Sequence, residues 1–201
     1  LHHPLHVAKS ASTIDELSNG RLLLGVASGD RYDEYPAMGI SYENRGELFK
    51  ESFQYIRQLQ DNFPTINTKG YGNLQGNIDM LPKANAHKIP LLMTGSSRQT
   101  LEWNAEHADG WMNYPRDLYQ QQLTIKSYRD LVSSYHNFDK PFMQPMYLDL
   151  QEDPNFKELD TQWIEDWNEL KNLIKLNDVI VLSNAKTNQW IVEYIYKLGK
   201  I

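Results

Sequence analysis

The stretch Leu22-Leu23-Leu24-Gly25-Val26-Ala27 is a short apolar run with turn-forming residues on both sides, Asn19-Gly20 before it and Ser28-Gly29 after it. A run of this length bounded by turn signals reads as a strand buried on both faces. Strands of that kind belong to parallel sheets whose two sides are covered by helices. Where ligands bind such folds, they do so beyond the carboxyl ends of the strands, and small residues there let a ligand approach the backbone. Ala27, Ser28 and Gly29 therefore mark a candidate binding end. An ordinary strand followed by a flexible turn would look the same at this level.

The rest of the chain repeats the strand–helix theme. Residues 4–17 carry Leu5, Ala8, Ala11 and Leu17 at helical spacing, with Pro4 suited to a first turn and Asn19-Gly20 to a stop. Residues 28–43 form a loop rich in Gly, Asp, Tyr and Pro, long enough to suggest a functional segment. Leu48, Phe49, Phe53, Ile56 and Leu59 define the next helix, opening at Glu43 or Asn44 and ending near Asp61. Residues 62–88 lose all helical period and read as an excursion, with a short hairpin expected around residues 71–80.

Further strands are expected at 89–94, 110–114, 141–150 and 178–182, and helices at 98–108, 116–136, 159–176 and 188–198, with a loop at 151–157. The helix at 159–176 would place Trp163 and Trp167 in a core. Pro145 sits awkwardly in the fourth strand, because it removes a ladder hydrogen bond and belongs at an edge or bulge. Alternating strands and helices predict a parallel α/β sheet. An open doubly wound sheet and a (β/α)8 barrel both satisfy that order. The first would carry Gly-x-Gly-x-x-Gly after its first strand, which Gly25-x-x-x-Gly29 does not match. The second needs eight strands, and the chain supplies five.

Several classes are excluded. With no Cys there is no disulfide framework, thiolate metal site or cysteine nucleophile, and the six His lack metal-ligand spacing. The net charge of −6 argues against nucleic-acid or membrane-surface binding. No segment approaches a membrane span, and no signal-peptide pattern opens the chain, so a cytoplasmic setting is expected. The chain opens with Leu1 rather than Met, as a fragment or processed product would.

The motifs become specific together. His3-Pro4-Leu5-His6-Val7-Ala8-Lys9-Ser10 is followed by Thr13-Ile14-Asp15-Glu16-Leu17-Ser18-Asn19-Gly20-Arg21 and the strand ending in Gly25-Val26. Later come Glu34-Tyr35-Pro36-Ala37-Met38-Gly39, Glu43-Asn44-Arg45-Gly46-Glu47, Asp79-Met80-Leu81-Pro82-Lys83, Ile89-Pro90-Leu91-Leu92-Met93-Thr94-Gly95-Ser96-Ser97 and Glu106-His107-Ala108-Asp109-Gly110-Trp111-Met112. In order and spacing this series resembles the bacterial luciferase-like flavin-dependent oxidoreductases. The resemblance implies a (β/α)8 barrel of the TIM type, present here in part as strands four to eight. Residues 1–201 would then be one luciferase-like domain lacking its N-terminal third, with 62–88 inserted.

The same resemblance implies reduced FMN as cofactor, with a deazaflavin the less favoured choice, and oxidation of a small organic substrate by oxygen. FMN carries a dianionic phosphate, which calls for charge-assisted donors and backbone N–H groups. By resemblance the turn Ser96-Ser97-Arg98-Gln99-Thr100 binds that phosphate, giving roles to Ser96, Ser97 and Thr100, with Arg45 pairing to it. Ala27, Ser28 and Gly29 would lie near the flavin ring. Read without the family, Ser-Ser-Arg before a helix is also an N-cap pattern and Arg45 also a solvated helix residue.

Asp30 and Arg31 could line the pocket mouth or form a loop ion pair, and Trp111, Tyr114 and Arg116 could border the substrate. His107 reads as a packed helix-end residue rather than a base, and no general base is assigned. Five strands of a barrel would expose strand edges and inner surface, which predicts self-association. A chain so truncated could equally be a flavin-binding remnant without turnover.

Overall fold

The computed structural model describes residues 2–146 and 179–182. The chain divides into two compact units, Leu1–Gly110 and Trp111–Ile201.

In the first unit, α1 (Pro4–Leu17) begins with proline at its first turn, as its sequence suggests, and is capped by His3, whose Nδ1 accepts the Leu5 N–H. Its end is a Schellman turn. Asn19 and Gly20 both take positive φ, the Gly20 N–H reaches the Asp15 carbonyl at 2.8 Å and the Asn19 N–H reaches that of Glu16 at 3.1 Å. The buried Asp15 carboxylate then accepts the backbone N–H of Leu22 and that of Asn85, tying the helix end to the chain entering the first strand.

That strand, β1 (Leu24–Val26), pairs in parallel with β4 (Leu91–Thr94), Leu24 opposite Leu91 and Val26 opposite Met93. β4 is buried along Leu91, Leu92 and Met93. β1 is not buried on both faces as its composition suggests. Leu22, Leu24, Val26 and Ser28 are half-buried, while Leu23, Gly25 and Ala27 on the other face are exposed. One face is thus half-buried and the other open among the described residues.

Between these strands lie a single helical turn, α2 (Glu34–Ala37), and α3 (Arg45–Gln58). α3 buries Phe49, Phe53, Tyr55 and Ile56, and sets Phe49 and Phe53 against Trp103 of α4 (Leu101–His107) with ring centroids 6.0 and 5.3 Å apart. Just beyond α3, Gln60 exchanges hydrogen bonds with Ser12 of α1. α4 begins three residues later than its sequence pattern suggests, because Ser97 and Arg98 hold left-handed φ and Thr100 makes the cap.

The excursion holds an antiparallel hairpin of β2 (Thr65–Asn67) and β3 (Asn73–Gln75), earlier than expected. Buried Ile66 anchors it, and the expected strand residues Tyr71-Gly72 are its turn, with Gly72 at φ +78° and the Tyr71 N–H on the Thr68 hydroxyl. The turn docks on α3, where Glu51 accepts the Lys69 and Gly70 N–H groups.

In the second unit, β5 (Gly110–Met112) leads into α5 (Leu118–Tyr135) and β6 (Phe142–Met146). β5 and β6 pair in parallel, as do β6 and β7 (Val179–Leu182). Trp111, Tyr128 and Phe142 pack as a buried aromatic cluster. Pro145 is tolerated because the β5 register stops at Met143, two residues short of it, so its missing N–H costs nothing on that flank. The expected residues 147–150 of this strand, the loop at 151–157 and the helices at 159–176 and 188–198, with Trp163 and Trp167, lie outside the described residues. All five strands expected from the alternation are present, and within each unit they pair in parallel, making a mixed α/β protein.

Candidate functional site

The carboxyl end of β1 opens onto a pocket lined by Ala27 and Ser28, by Tyr35 and Ile40 of the following loop, by Arg45, Leu48, Phe49 and Ser52 of α3, and by His2 and Tyr71. Arg45 is the first residue of α3 and is only 7% exposed, so it is not a solvated helix residue. Its Nη1 donates to the Tyr42 carbonyl at 2.7 Å, and its Cζ lies 3.5 Å from the centroid of the Tyr42 ring. No carboxylate among the described residues pairs with it; nearby Glu34 is engaged by Arg31 at 3.1 Å. A buried guanidinium without an anionic partner is costly, and an arriving anion would relieve that cost.

The loop between β1 and α3 is built around tyrosines. The Tyr35 hydroxyl donates a short hydrogen bond to the Ser28 carbonyl, and the ring is 1% exposed. Burial holds its phenol above the ordinary tyrosine range, against the opposing effect of Arg45. Gly29 takes φ +82°, and a Cβ there would come within 3.3 Å of the Tyr35 hydroxyl. Glycine is required at that corner by both conformation and space.

The turn after β4 reaches the same helix end. Gln99 Nε2 donates to the Gly46 carbonyl at 2.8 Å, and a Cβ on Gly46 would sit 3.1 Å from the Arg98 Cβ. Ser96, Ser97 and Thr100 are thus carried next to the residue that follows Arg45, although they do not line the pocket. The Ser97 hydroxyl donates to the Thr94 carbonyl at 2.9 Å. Thr100 Oγ1 accepts the Trp103 N–H at 3.2 Å, leaving its own hydrogen to donate elsewhere. Arg98 is exposed, and no charged partner for it occurs among the described residues.

Ala27, Ser28 and Arg45 therefore line one pocket, while Gly29 does not, and Ser96, Ser97 and Thr100 belong to the turn that reaches Gly46. Arg31 pairs with Glu34 rather than with Asp30, and neither Asp30 nor Arg31 lines the pocket. His107 ends α4 with its ring 4.9 Å from that of Trp103. Trp111 is buried in its aromatic cluster, while Tyr114 and Arg116 are exposed, all three in the second unit. The motif reading overlooked Tyr35, Tyr42 and Arg98. Its one available signal was the density of tyrosine in residues 28–43.

The pocket measures about 50 Å³, against roughly 300–1,000 Å³ for sites that enclose a whole cofactor. A phosphate is the scale of group it fits. A planar ring system would need the exposed face of Leu23, Gly25 and Ala27. The donors at this pocket, Arg45 above all, are chemically suited to an anion.

Parallel strands separated by helices, with a pocket at the carboxyl end of one strand, define an α/β protein of the kind whose ligand sites lie at strand ends. The sequence profile of the luciferase-like monooxygenases matches residues 1–141, and the chain belongs to that family. It is 31% identical over 112 residues to the alkanal monooxygenase beta chain of Photorhabdus luminescens, covering 52% of this chain and 32% of that one. It is 34% identical over 115 residues to the pyrimidine monooxygenase RutA of Acinetobacter baylyi, covering 53% and 30%. An uncharacterized Mycobacterium tuberculosis protein is 30% identical over 118 residues, covering 58% and 42%. The matched region thus spans about a third to two fifths of the length of these relatives.

Among solved structures, monooxygenase RslO1 from Streptomyces bottropensis superposes with a TM-score of 0.62 at 24% identity, over 77% of this chain and 49% of that one. An F420-dependent secondary alcohol dehydrogenase, solved with an F420-acetone adduct, superposes at 0.62 and 16% identity, over 98% and 67%. The oxygenating constituent of 3,6-diketocamphane monooxygenase of Pseudomonas putida, in complex with FMN, superposes at 0.59 and 15%, over 73% and 44%. These likenesses establish the shared fold. No described helix is long and apolar enough to cross a membrane.

Proposed function

We propose that this chain is the phosphate-gripping part of an FMN-dependent monooxygenase that oxidises a small organic substrate with reduced flavin and oxygen. In this reading its parallel strands are strands four to eight of a (β/α)8 barrel. The excursion at 62–88 is an insertion that docks its hairpin on α3.

The observation that carries the proposal is Arg45: buried, without a carboxylate partner among the described residues, lining a phosphate-sized pocket at a strand's carboxyl end. Arg45 would pair with the phosphate. Thr100 would donate its spare hydroxyl hydrogen, Ser96 and Ser97 would contribute from the same turn, and Arg98 would add a second positive charge. Ala27, Ser28 and Gly29 would let the ring approach the backbone. Bound reduced flavin supplies the electrons that activate oxygen; the protein's part is to bind, orient and keep water away. FMN is favoured over a deazaflavin because the relatives at 31% and 34% identity are monooxygenases, whereas the F420-dependent neighbour is a dehydrogenase at 16%.

Titration of the purified chain with FMN and with F420, followed by oxygen uptake with reduced FMN and small organic substrates, tests this. Micromolar FMN binding with substrate-dependent oxygen consumption is expected of the intact site. No flavin binding at all would defeat the proposal.

A second reading, a flavin-binding chain without turnover, draws on the exposed face of Leu23, Gly25 and Ala27, which no described residue covers. Flavin binding without substrate-dependent oxygen uptake would favour it.

A further inference from the structure

We infer that Tyr42 is a positioning residue for Arg45, holding its charge toward the pocket without neutralising it and so letting the pocket tell a phosphate-bearing flavin from a phosphate-free one. The inference rests on the flavin reading above. A guanidinium can be fixed in place by a carboxylate, by carbonyls or by an aromatic face. A carboxylate would cancel the charge that a phosphate needs. Here the fixing is done by the Tyr42 carbonyl, which accepts Nη1, and by the Tyr42 ring, 3.5 Å from Cζ. The ring attracts the cation through its quadrupole and leaves the net charge intact. One nitrogen and one face of the guanidinium are thereby used, and no partner to Nε or Nη2 occurs among the described hydrogen bonds.

The Tyr42 ring is itself held. Tyr32 and Tyr35 meet it edge-on, with centroids 5.2 and 5.0 Å away and interplanar angles of 67° and 89°. Tyr35 in turn is anchored to the Ser28 carbonyl at the end of β1. None of the carboxylates on this loop forms an ion pair with Arg45 among the described residues: Glu34 pairs with Arg31, and Asp30, Asp33 and Glu43 are exposed, the Asp30 carbonyl lying 3.5 Å from the Tyr42 hydroxyl. That hydroxyl contact is at the limit of a hydrogen bond, so the ring rather than the hydroxyl carries the role.

The test compares wild type, Tyr42→Phe and Tyr42→Leu for binding of FMN, riboflavin and inorganic phosphate, with circular dichroism and melting curves on each protein. Tyr42→Phe keeps the ring and is expected to bind all three as wild type does. Tyr42→Leu is expected to lose roughly thirtyfold in affinity for FMN and for phosphate, the scale of a desolvated cation–π contact, with riboflavin unchanged. A Leu variant that binds FMN as tightly as wild type overturns the inference, as does an equal loss for FMN and riboflavin. If wild type binds phosphate but neither flavin, the flavin reading fails and the Phe–Leu contrast on phosphate still decides the role of Tyr42. If it binds none of the three, both fail.

Discussion

Asp109 and Leu91 bind each other twice: the Asp109 carboxylate accepts the Leu91 N–H at 2.8 Å, and the Leu91 carbonyl accepts the Asp109 N–H at 2.9 Å. The same carboxylate takes Lys88 at 2.6 Å and a short ion pair from Arg57 near the end of α3. Arg57 also donates to the Ile89 carbonyl at 3.2 Å. This cluster sits at the amino end of β4, opposite the pocket end, where fixed polar groups serve stability.

Burial pushes the Asp109 carboxyl up, but hydrogen bonds from Lys88 and the Leu91 N–H, with the Arg57 charge, outweigh it and leave the group below the usual carboxylate range. A carboxyl whose folded value is depressed stabilises the fold above its unfolded value, about 3.9, and loses that contribution as pH falls through the folded value. Asp109→Asn is therefore expected to cost about 1–3 kcal/mol at pH 7, chiefly from leaving Arg57 and Lys88 without their acceptor. Urea unfolding should show the deficit shrinking as pH falls below about 4. A deficit equal at pH 7 and pH 3 would refute the assignment.

Asp15→Ala should destabilise by a similar about 1–3 kcal/mol, since it orphans the Leu22 and Asn85 N–H groups. It should leave FMN affinity unchanged when measured well below the melting temperature. A flavin-binding defect in a folded Asp15→Ala protein would mean that the residue reaches the ligand.

Asp15 also shows what could be read from the sequence and what could not. The Thr13-x-Asp15-x-Leu17-Ser18-x-Gly20-Arg21 motif was the clearest sign of the family, yet its residues build a helix stop: a Schellman turn, an aspartate staple, and Arg21 Nε on the Ser18 carbonyl at 2.7 Å. Such motifs are legible because one backbone geometry admits few residue types. Parallel strands were legible for the same reason, through apolar runs closed by glycine. The burial of β1 was misread because composition reports what a strand can pack against, not what is there to cover it. The tyrosine cage around Arg45 was missed because it depends on the path of a loop, which carries no periodicity.

Thr100 separates two roles of one side chain. Its Oγ1 caps α4 by accepting the Trp103 N–H, while its hydrogen is available to a phosphate. Thr100→Ala should lose both, about 1 kcal/mol of cap and several-fold in FMN affinity. Thr100→Ser should keep both. The double change Ser97→Ala with Thr100→Ala should weaken FMN further, and unchanged affinity in that protein would remove the turn from the phosphate site.

Gly46→Ala tests the junction between α3 and the turn. In an open helix this change stabilises by up to about 1 kcal/mol. Here the new Cβ would stand 3.1 Å from the Arg98 Cβ, so the turn must give way and the gain be offset. The expected result is a neutral or lowered melting temperature together with weaker FMN binding. A simple gain in stability with full FMN affinity would show that the turn is free to move.

The exposed side of β1 leads to the last expectation. Leu23 is 55% exposed, and Ile14 and Leu17 of α1 are 52% and 81% exposed. Among the described residues β1 pairs with β4 on one flank, and no described strand pairs with its other flank. An open edge flanked by apolar surface is a template for another chain. The chain by itself is therefore expected to self-associate, with sedimentation showing species larger than a monomer. Leu23→Lys places a charge on that face and should shift the distribution toward monomer without unfolding the protein, because the side chain it replaces lies mostly in solvent. A wild-type chain that sediments as a stable monomer at high concentration would mean that the edge is covered by residues of the chain itself.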